Sequence, residues 1–372
     1  MKKTLLLVLL FAPLLGGCGS LYAQRRDVEQ LRLAETLGLD AVPGGVMLSL
    51  AAASGPGGED AACYSAPGAS VSQAMEQLRS RRPEEPLFCG HLQHILLGEE
   101  LAREGIGGFL AFVCRSSDLR LDMPIYLLLD DRAQRAMAEV GGGDKGVVDA
   151  LTALERREGN APQLSTAGAV LRDLERQGAA MLRCLRLTPV SETGGEGALT
   201  LSPAGYGVLV GDSLQALIPP EDAPAAALLC GALRPCPLVL RDALDRTVTL
   251  ELQEGVLRLE PVWDEDGALC GLELSVRVSA ALLEVDGFDR AVDEAFQNAV
   301  TARMEAELQR QIEALLRLSR ELGADFLGLG RRLEQAAPLR CRGLGRELGA
   351  LLPSLQVRVS VRGELRHAGD LD

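Results

Sequence analysis

The sequence predicts an α+β protein of more than one domain, in which mixed and antiparallel sheets pack against helices and one long helix lies in the C-terminal domain. Three observations predict it. Between residues 92 and 129 two short apolar runs flank helical segments, and strand, helix, strand in that order argues for helices layered on a sheet. Leu272, Leu274, Val276 and Val278 alternate with Glu273, Ser275, Arg277 and Ser279, and Val357, Val359 and Val361 alternate with Arg358, Ser360 and Arg362. That two-residue period marks strands with one face in a core and the other in solvent. Between these strands Val292, Phe296, Val300, Met304, Leu308, Ile312 and Leu316 recur every fourth residue, the spacing of a helix face.

Taken in order, Leu31 to Leu39 begins the fold. Val46 to Ala53 reads as a strand ahead of the Gly-Pro-Gly-Gly turn at 55–58. Ser70 is placed to cap a helix through Arg79 whose stripe is Val71, Ala74, Met75 and Leu78. Leu92 to Leu97 is a buried strand, Glu99 to Glu104 a short helix closed by Gly105, Phe109 to Val113 a further helix, and Ile125 to Leu129 another buried strand. Ala133 to Val140 is helical, ended by Gly141-Gly142-Gly143, and Val147 to Arg157 is helical again before an apolar run from Ala179 to Leu187. Thr193-Gly-Gly-Glu-Gly-Ala has the composition of a linker, and the main domain boundary is expected there.

The second half opens with Tyr206 to Ile218, a hairpin turning at Gly211-Asp212, and Thr247 to Trp263 reads as a second hairpin turning at Glu254-Gly255. The long helix is expected to start at an Asp289 cap and stop at Gly323. Roughly 34 residues at about 1.5 Å rise span roughly 50 Å. A strict four-residue spacing drifts around a 3.6-residue helix, so its buried stripe winds. Such a helix lying across a sheet as a core element is favoured over a coiled-coil partner helix.

The N-terminus carries a separate signal. Met1-Lys2-Lys3 is positive, Thr4 to Leu15 is apolar and broken only by Pro13, and Leu15-Gly16-Gly17-Cys18 follows. A charged start, a short apolar segment and small residues at the junction make a secretory signal. About a dozen apolar residues are too few to span a bilayer, which takes roughly 20. With Cys18 directly after the small residues, the pattern is that of a bacterial lipoprotein, cleaved between Gly17 and Cys18 and acylated on Cys18. The expected organisation is a signal over 1–17, a tether over 18–30, an N-terminal domain of α/β layers over 31–192 that can divide into two subdomains, and a C-terminal domain over 200–370.

Of 372 residues, 355 remain after the signal, ample for two or three domains. The formal charge is −14 and becomes −16 without Lys2 and Lys3. That surface repels nucleic acid and anionic headgroups, so lipid rather than charge must hold the protein to a membrane, and two or more acyl chains do so stably. Beyond Cys18 there are eight cysteines, widely spaced and without a CxxC pair. Cys89, Cys114, Cys184 and Cys270 lie in apolar or strand-like segments, which favours free buried thiols over disulfides and gives little support to a zinc site.

Candidate chemistry is sparse. Gly211-Asp212-Ser213-Leu214 spells the signature of the GDSL hydrolases, but a serine nucleophile needs a base and an orienting acid. The late histidine is His367, in Glu364-Leu-Arg-His367, where the hydrolase pattern has Asp-x-x-His. A hairpin turn explains the four residues more simply. His91 and His94 at the start of a strand point to opposite faces by the two-residue period, so packing outweighs metal binding and no metal or cofactor is expected. The glycine-rich segments lack the lysine and helix of a phosphate cradle.

Along nearly its whole length the chain resembles the Ger(x)C lipoproteins, the C subunits of bacterial spore germinant receptors. The resemblance rests on the lipobox at Cys18, on Arg25-Arg26-Asp27-Val28 and Leu37-Gly38-Leu39-Asp40, and above all on Phe88-Cys-Gly-His-Leu-Gln-His-Ile-Leu-Leu-Gly-Glu-Glu-Leu-Ala-Arg-Glu-Gly-Ile. Arg115, Asp118-Leu-Arg120, Tyr206-Gly-Val-Leu-Val, Ala324-Asp-Phe-Leu-Gly-Leu-Gly330 and Val357-Arg-Val-Ser-Val-Arg-Gly363 continue it. The resemblance implies a three-part α+β protein on the outer face of the spore inner membrane, assembled with an A-type and a polytopic B-type subunit that together detect nutrients. Gly90, His91, Gly98, Glu99, Arg115, Arg120, Asp325 and Gly328 are its motif positions, with structural or subunit-contact roles. Two other functions stay open from the sequence: an envelope hydrolase built on Ser213, and a substrate-binding lipoprotein that serves a transporter.

Overall fold

Strands that are apolar at every position need cover on both faces, and the first sheet is built around such strands. The computed structural model describes residues 32–52, 62–81, 87–140, 146–157, 165–190, 199–242, 244–286 and 293–366. Gly17, Cys18, the rest of the tether, Asp289 and His367 lie outside the described residues.

The first sheet has nine strands: β1 (Arg32–Val42), β2 (Gly45–Ala52), β3 (Ala62–Gly68), β4 (Leu87–Phe88), β5 (His94–Gly98), β6 (Ile125–Leu129), β7 (Ala179–Pro189), β8 (Leu199–Val210) and β9 (Ser213–Ile218). Their order is β3-β2-β1-β5-β6-β7-β8-β9, with β4 beside the start of β1. The centre, β1-β5-β6-β7, is parallel, and the flanking pairs are antiparallel. On one face lie α1 (Val71–Ser80), α2 (Glu99–Glu104), α3 (Gly107–Arg115) and α6 (Ala167–Gln177); on the other lie α4 (Ala133–Glu139) and α5 (Gly146–Arg157). Period two divides β6 accordingly: Ile125, Leu127 and Leu129 enter the first core, Tyr126 and Leu128 the second. The sequence-read stripe of α1 is the buried set, and the Ser70 hydroxyl accepts the Gln73 N–H at 3.2 Å.

The second sheet, β10 (Cys236–Arg241), β11 (Thr247–Trp263), β12 (Leu269–Val285) and β13 (Gln356–Arg366), is an antiparallel meander with β13 added parallel to β12. The long helix α8 (Glu294–Leu322) lies across it, burying Val300, Met304, Leu308, Ile312 and Leu316. Three short helices, α7 (Ala223–Cys230), α9 (Leu329–Ala336) and α10 (Leu344–Leu351), close the remaining sides. Among the described residues no helix is long and apolar enough to cross a membrane.

Four expectations are corrected. Thr247 to Trp263 is one 17-residue strand, and the irregularity between Leu252 and Glu254 is a bulge in its ladder with β12. Gly255 is there for contact, since a Cβ would come within 2.9 Å of both Leu228 and Leu233. The long helix has 29 residues and is capped by Asp293, whose extended backbone (φ −82°, ψ 167°) stops it and whose carboxylate accepts the Phe296 N–H at 2.7 Å. The β8–β9 hairpin, read as the head of the second half, completes the first sheet by hydrogen bonding. Yet Tyr206, Val208 and Ile218 bury their side chains in the core of the second sheet, so the two halves share this element. Lastly, Cys114 is exposed, although Cys89, Cys184 and Cys341 are buried and all eight described cysteines are free.

Candidate functional site

The parallel strands β1, β5 and β6 end together, and open α/β sheets present clefts at such carboxyl ends. Here the cleft holds about 320 Å³ and is lined by Asp40, Gly98, Glu99, Arg103, Asp130 and Arg132, among others. Asp40 lies near the end of β1 and is almost fully buried. Its two carboxylate oxygens accept the Ala133 and Gln134 N–H groups at 2.7 and 2.9 Å, capping α4. Burial raises its carboxyl above the usual range, and those two backbone donors work in the opposite direction. Gly98 is required by this cap, because a Cβ there would sit 2.3 Å from Asp40 Oδ1.

Glu99 starts α2 and is held on both sides. One oxygen pairs with Arg103 at 2.6 Å, and the other accepts the Asp130 N–H at 3.0 Å. Asp130 adopts a left-handed backbone (φ 60°) and pairs with Arg186 at 2.8 Å. These contacts tie the ends of β5, β6 and β7 to one another. The carboxylates of Asp40, Glu99, Asp130 and Asp131 are each engaged with the chain itself, and they brace the strand ends.

The histidines part company at the opposite end of β5. His94 is the first strand residue, buried, with Nε2 at 3.4 Å from Glu155 Oε1, which also accepts from the Tyr126 hydroxyl at 2.8 Å. Burial acts to raise the Glu155 carboxyl, but the His94 and Tyr126 hydrogen bonds outweigh it and hold the group below its ordinary value. His91 precedes the strand, is exposed, and lies 3.8 Å from Glu35. Burial raises the Glu35 carboxyl, with His91 opposing. Among the described residues no group of three or more His, Cys, Asp or Glu side chains is arranged to hold a metal.

The remaining motif positions fall elsewhere. Gly90 turns beside the Phe88 ring, which a Cβ would meet at 2.6 Å. Arg115 ends α3 in solvent, and Arg120 forms an exposed pair with Asp122 at 2.9 Å. Asp325, 1% exposed, accepts the Leu329 and Gly330 N–H groups at 3.0 and 2.7 Å, and so caps α9; Gly328 supplies the left-handed turn before it (φ 70°). Burial pushes the Asp325 carboxyl up to about 6. From α9, Arg331 reaches Asp173 on α6 at 3.7 Å, joining the two halves.

Ser213 starts β9 just after the hairpin turn, and its hydroxyl accepts from Gln215 at 2.8 Å. The neighbouring Asp212 has the tighter role. Its carboxylate accepts the Gly107 N–H at 3.2 Å and its carbonyl the Ile106 N–H at 2.8 Å. Gly105 (φ 132°) and Gly107 leave room for it, since a Cβ on either would lie 3.0 or 2.5 Å from Asp212 Oδ2. The GDSL letters therefore dock the hairpin on the Gly105-Ile106-Gly107 turn. Sequence reading gave Asp40 only as part of the Leu37–Asp40 motif and Asp212 only as a hairpin-turn residue, and passed over Asp173; a single aspartate within the run Leu37-Gly-Leu-Asp40-Ala-Val42 was the available signal for the Asp40 cap.

Residues 24–187 match the profile of the spore germination protein N-terminal domain, and residues 204–369 match that of the spore germination B3/GerAC-like C-terminal domain. The crystal structure of the GerBC protein shares the fold, with a TM-score of 0.56 over 91% of this chain and 99% of that one at 14% identity. No curated protein sequence matches. The nine-stranded mixed sheet, the second sheet under its long helix and these two matches in order place the chain in the Ger(x)C family of spore germination proteins, with a role in spore germination.

Proposed function

We propose that the protein is a non-catalytic, lipid-anchored subunit of a spore nutrient germinant receptor. In this reading Cys18 carries the acyl chains and the folded part sits on the outer face of the spore inner membrane beside A-type and B-type membrane subunits. The observation that carries it is the use made of the buried and half-buried motif residues: Gly98, Glu99, Asp325 and Gly328 fix backbone ends and helix caps, as a scaffold requires. Gly90, His91, Arg115 and Arg120 are the exposed motif positions and are the subunit-contact candidates. The division into 31–192 and 200–370 belongs to the same proposal, with the β8–β9 hairpin as the shared element.

Deleting the gene is expected to remove the response to particular nutrients while spores still germinate with a non-nutrient trigger. Normal responses to every nutrient, in a strain without a paralogue, would sink the reading. Cys18→Ala is expected to leave the chain unacylated, released from the membrane fraction and inactive in germination. Labelling of the wild type by a serine-directed fluorophosphonate, lost in Ser213→Ala, would instead support a hydrolase.

A further inference from the structure

We propose that the exposed face of the second sheet, at β12 and its open-edged neighbour β13, binds an extended acidic segment of a partner protein. The inference goes beyond the receptor reading and does not depend on it.

Arg277 on β12 and Arg362 on β13 are direct partners in the parallel register, with neighbouring strands about 4.8 Å apart. Both are exposed, and neither has an acidic partner among the described residues. Like charges directly opposite on one face destabilise a sheet, and this pair occurs in a chain with 52 acidic residues and a net charge of −14. Three acids on the same face pair with other arginines: Glu260 with Arg258 at 2.6 Å, Glu273 with Arg358 at 3.4 Å, and Glu254 with Arg366 at 3.8 Å. Glu364 lies two residues from Arg362 on the same strand face and forms no pair with it.

Around the two arginines Arg258, Glu260, Ser275, Arg277, Ser360 and Arg362 line a hollow of about 390 Å³. The Ser275 and Ser360 hydroxyls, 3.3 Å apart, form its floor. A carboxylate fits such a place, because guanidinium groups bind it through two parallel hydrogen bonds.

The edge of β13 selects an extended peptide over a small anion. Among the described residues β13 pairs on one side only, over 11 residues, and an open edge is a template for another strand. The opposite face of β13 rests on α8 through Val357, Val359 and Val361. An added strand would therefore alternate acids, over Arg362 and, in exchange for Glu273, over Arg358, with apolar residues that extend the packing on α8. On that edge Glu305 of α8 already accepts the Gly363 N–H at 2.7 Å, a carboxylate that an incoming strand would displace.

The test uses the full chain in detergent micelles and a fluorescein-labelled peptide of about nine residues in which glutamate and valine alternate, long enough at roughly 3.3 Å per residue to cover most of β13. The expected result is binding at low salt that the glutamine-for-glutamate peptide does not show, weakened roughly tenfold or more in Arg277→Ser/Arg362→Ser. Absence of binding, or equal binding to the double variant, overturns the proposal. So does displacement by glycerol phosphate as effective as by unlabelled peptide, because the site would then read a phosphate or lipid headgroup. Thermal unfolding is the second readout. Arg277→Ser alone is expected to raise Tm by relieving the repulsion, and a fall or no change removes the premise.

Discussion

Asp40 and Asp325 perform one task in the two halves of the molecule: each is a buried carboxylate whose two oxygens accept two consecutive backbone N–H groups at the start of a helix. The Asp325 case sets a pH dependence. Its folded pKa of about 6 lies above the ordinary value of 3.8, so between those values the folded chain holds a proton that the unfolded chain releases. Stability from this residue is therefore greatest below about pH 4 and falls as pH rises to about 6. The loss is on the order of 3 kcal/mol. Asp325→Asn keeps the shape and cannot titrate, so the stability difference between wild type and variant is expected to change across that window in urea titrations. A constant difference would remove the carboxylate from the account. Gly98→Ala drives a methyl into Asp40 Oδ1 and is expected to destabilise by about 1–3 kcal/mol, measured in the same way.

At the scale of elements, the docking of the β8–β9 hairpin is the most discriminating feature. Asp212→Ala removes the acceptor of the Gly107 N–H, at a cost of about 0.5–1.5 kcal/mol, and is expected to speed hydrogen exchange at Gly107. Ser213→Ala, beside it, is expected to change stability by less than about 0.5 kcal/mol, since its hydroxyl meets only the exposed Gln215 side chain among the described residues. Equal effects from both substitutions would mean that the turn is not held by Asp212. The long helix was legible because six apolar residues at fixed spacing, from Phe296 to Leu316, survive any context. Its start was not, because several aspartates precede it and only the local backbone picks Asp293 as the cap. The helix α7 left no period to read: Ala225, Ala226, Ala227, Leu228 and Leu229 are all buried, and a helix apolar all round carries no stripe.

For the whole molecule, the core of the second sheet includes Ala179, Met181, Tyr206, Val208 and Ile218 from the first, and Arg331 on α9 meets Asp173 on α6. Both halves are thus expected to unfold in one transition. Cleavage at a protease site introduced within residues 191–198 is expected to leave two fragments that co-elute until denatured, because β7 and β8 remain paired from Ala179–Val210 to Pro189–Leu199. Fragments that separate in native buffer would show that the β7–β8 ladder and shared core do not hold the halves together.

The sequence by itself determined the lipoprotein signal as an expectation, the α+β class, the buried strands β5 and β6, the stripe of α1 and the family resemblance. The class, the strands and the stripe depend on periods of two and 3.6 residues, which act within one element, whereas the signal and the resemblance rest on particular residues in order along the chain. Only the tertiary structure decided that the β8–β9 hairpin serves both halves, that Thr247 to Trp263 is one continuous strand, and that Arg277 faces Arg362. Each of those outcomes depends on which strand lies alongside: a ladder of equal length in β12 carries β11 through Gly255, and register, not local sequence, sets two arginines side by side.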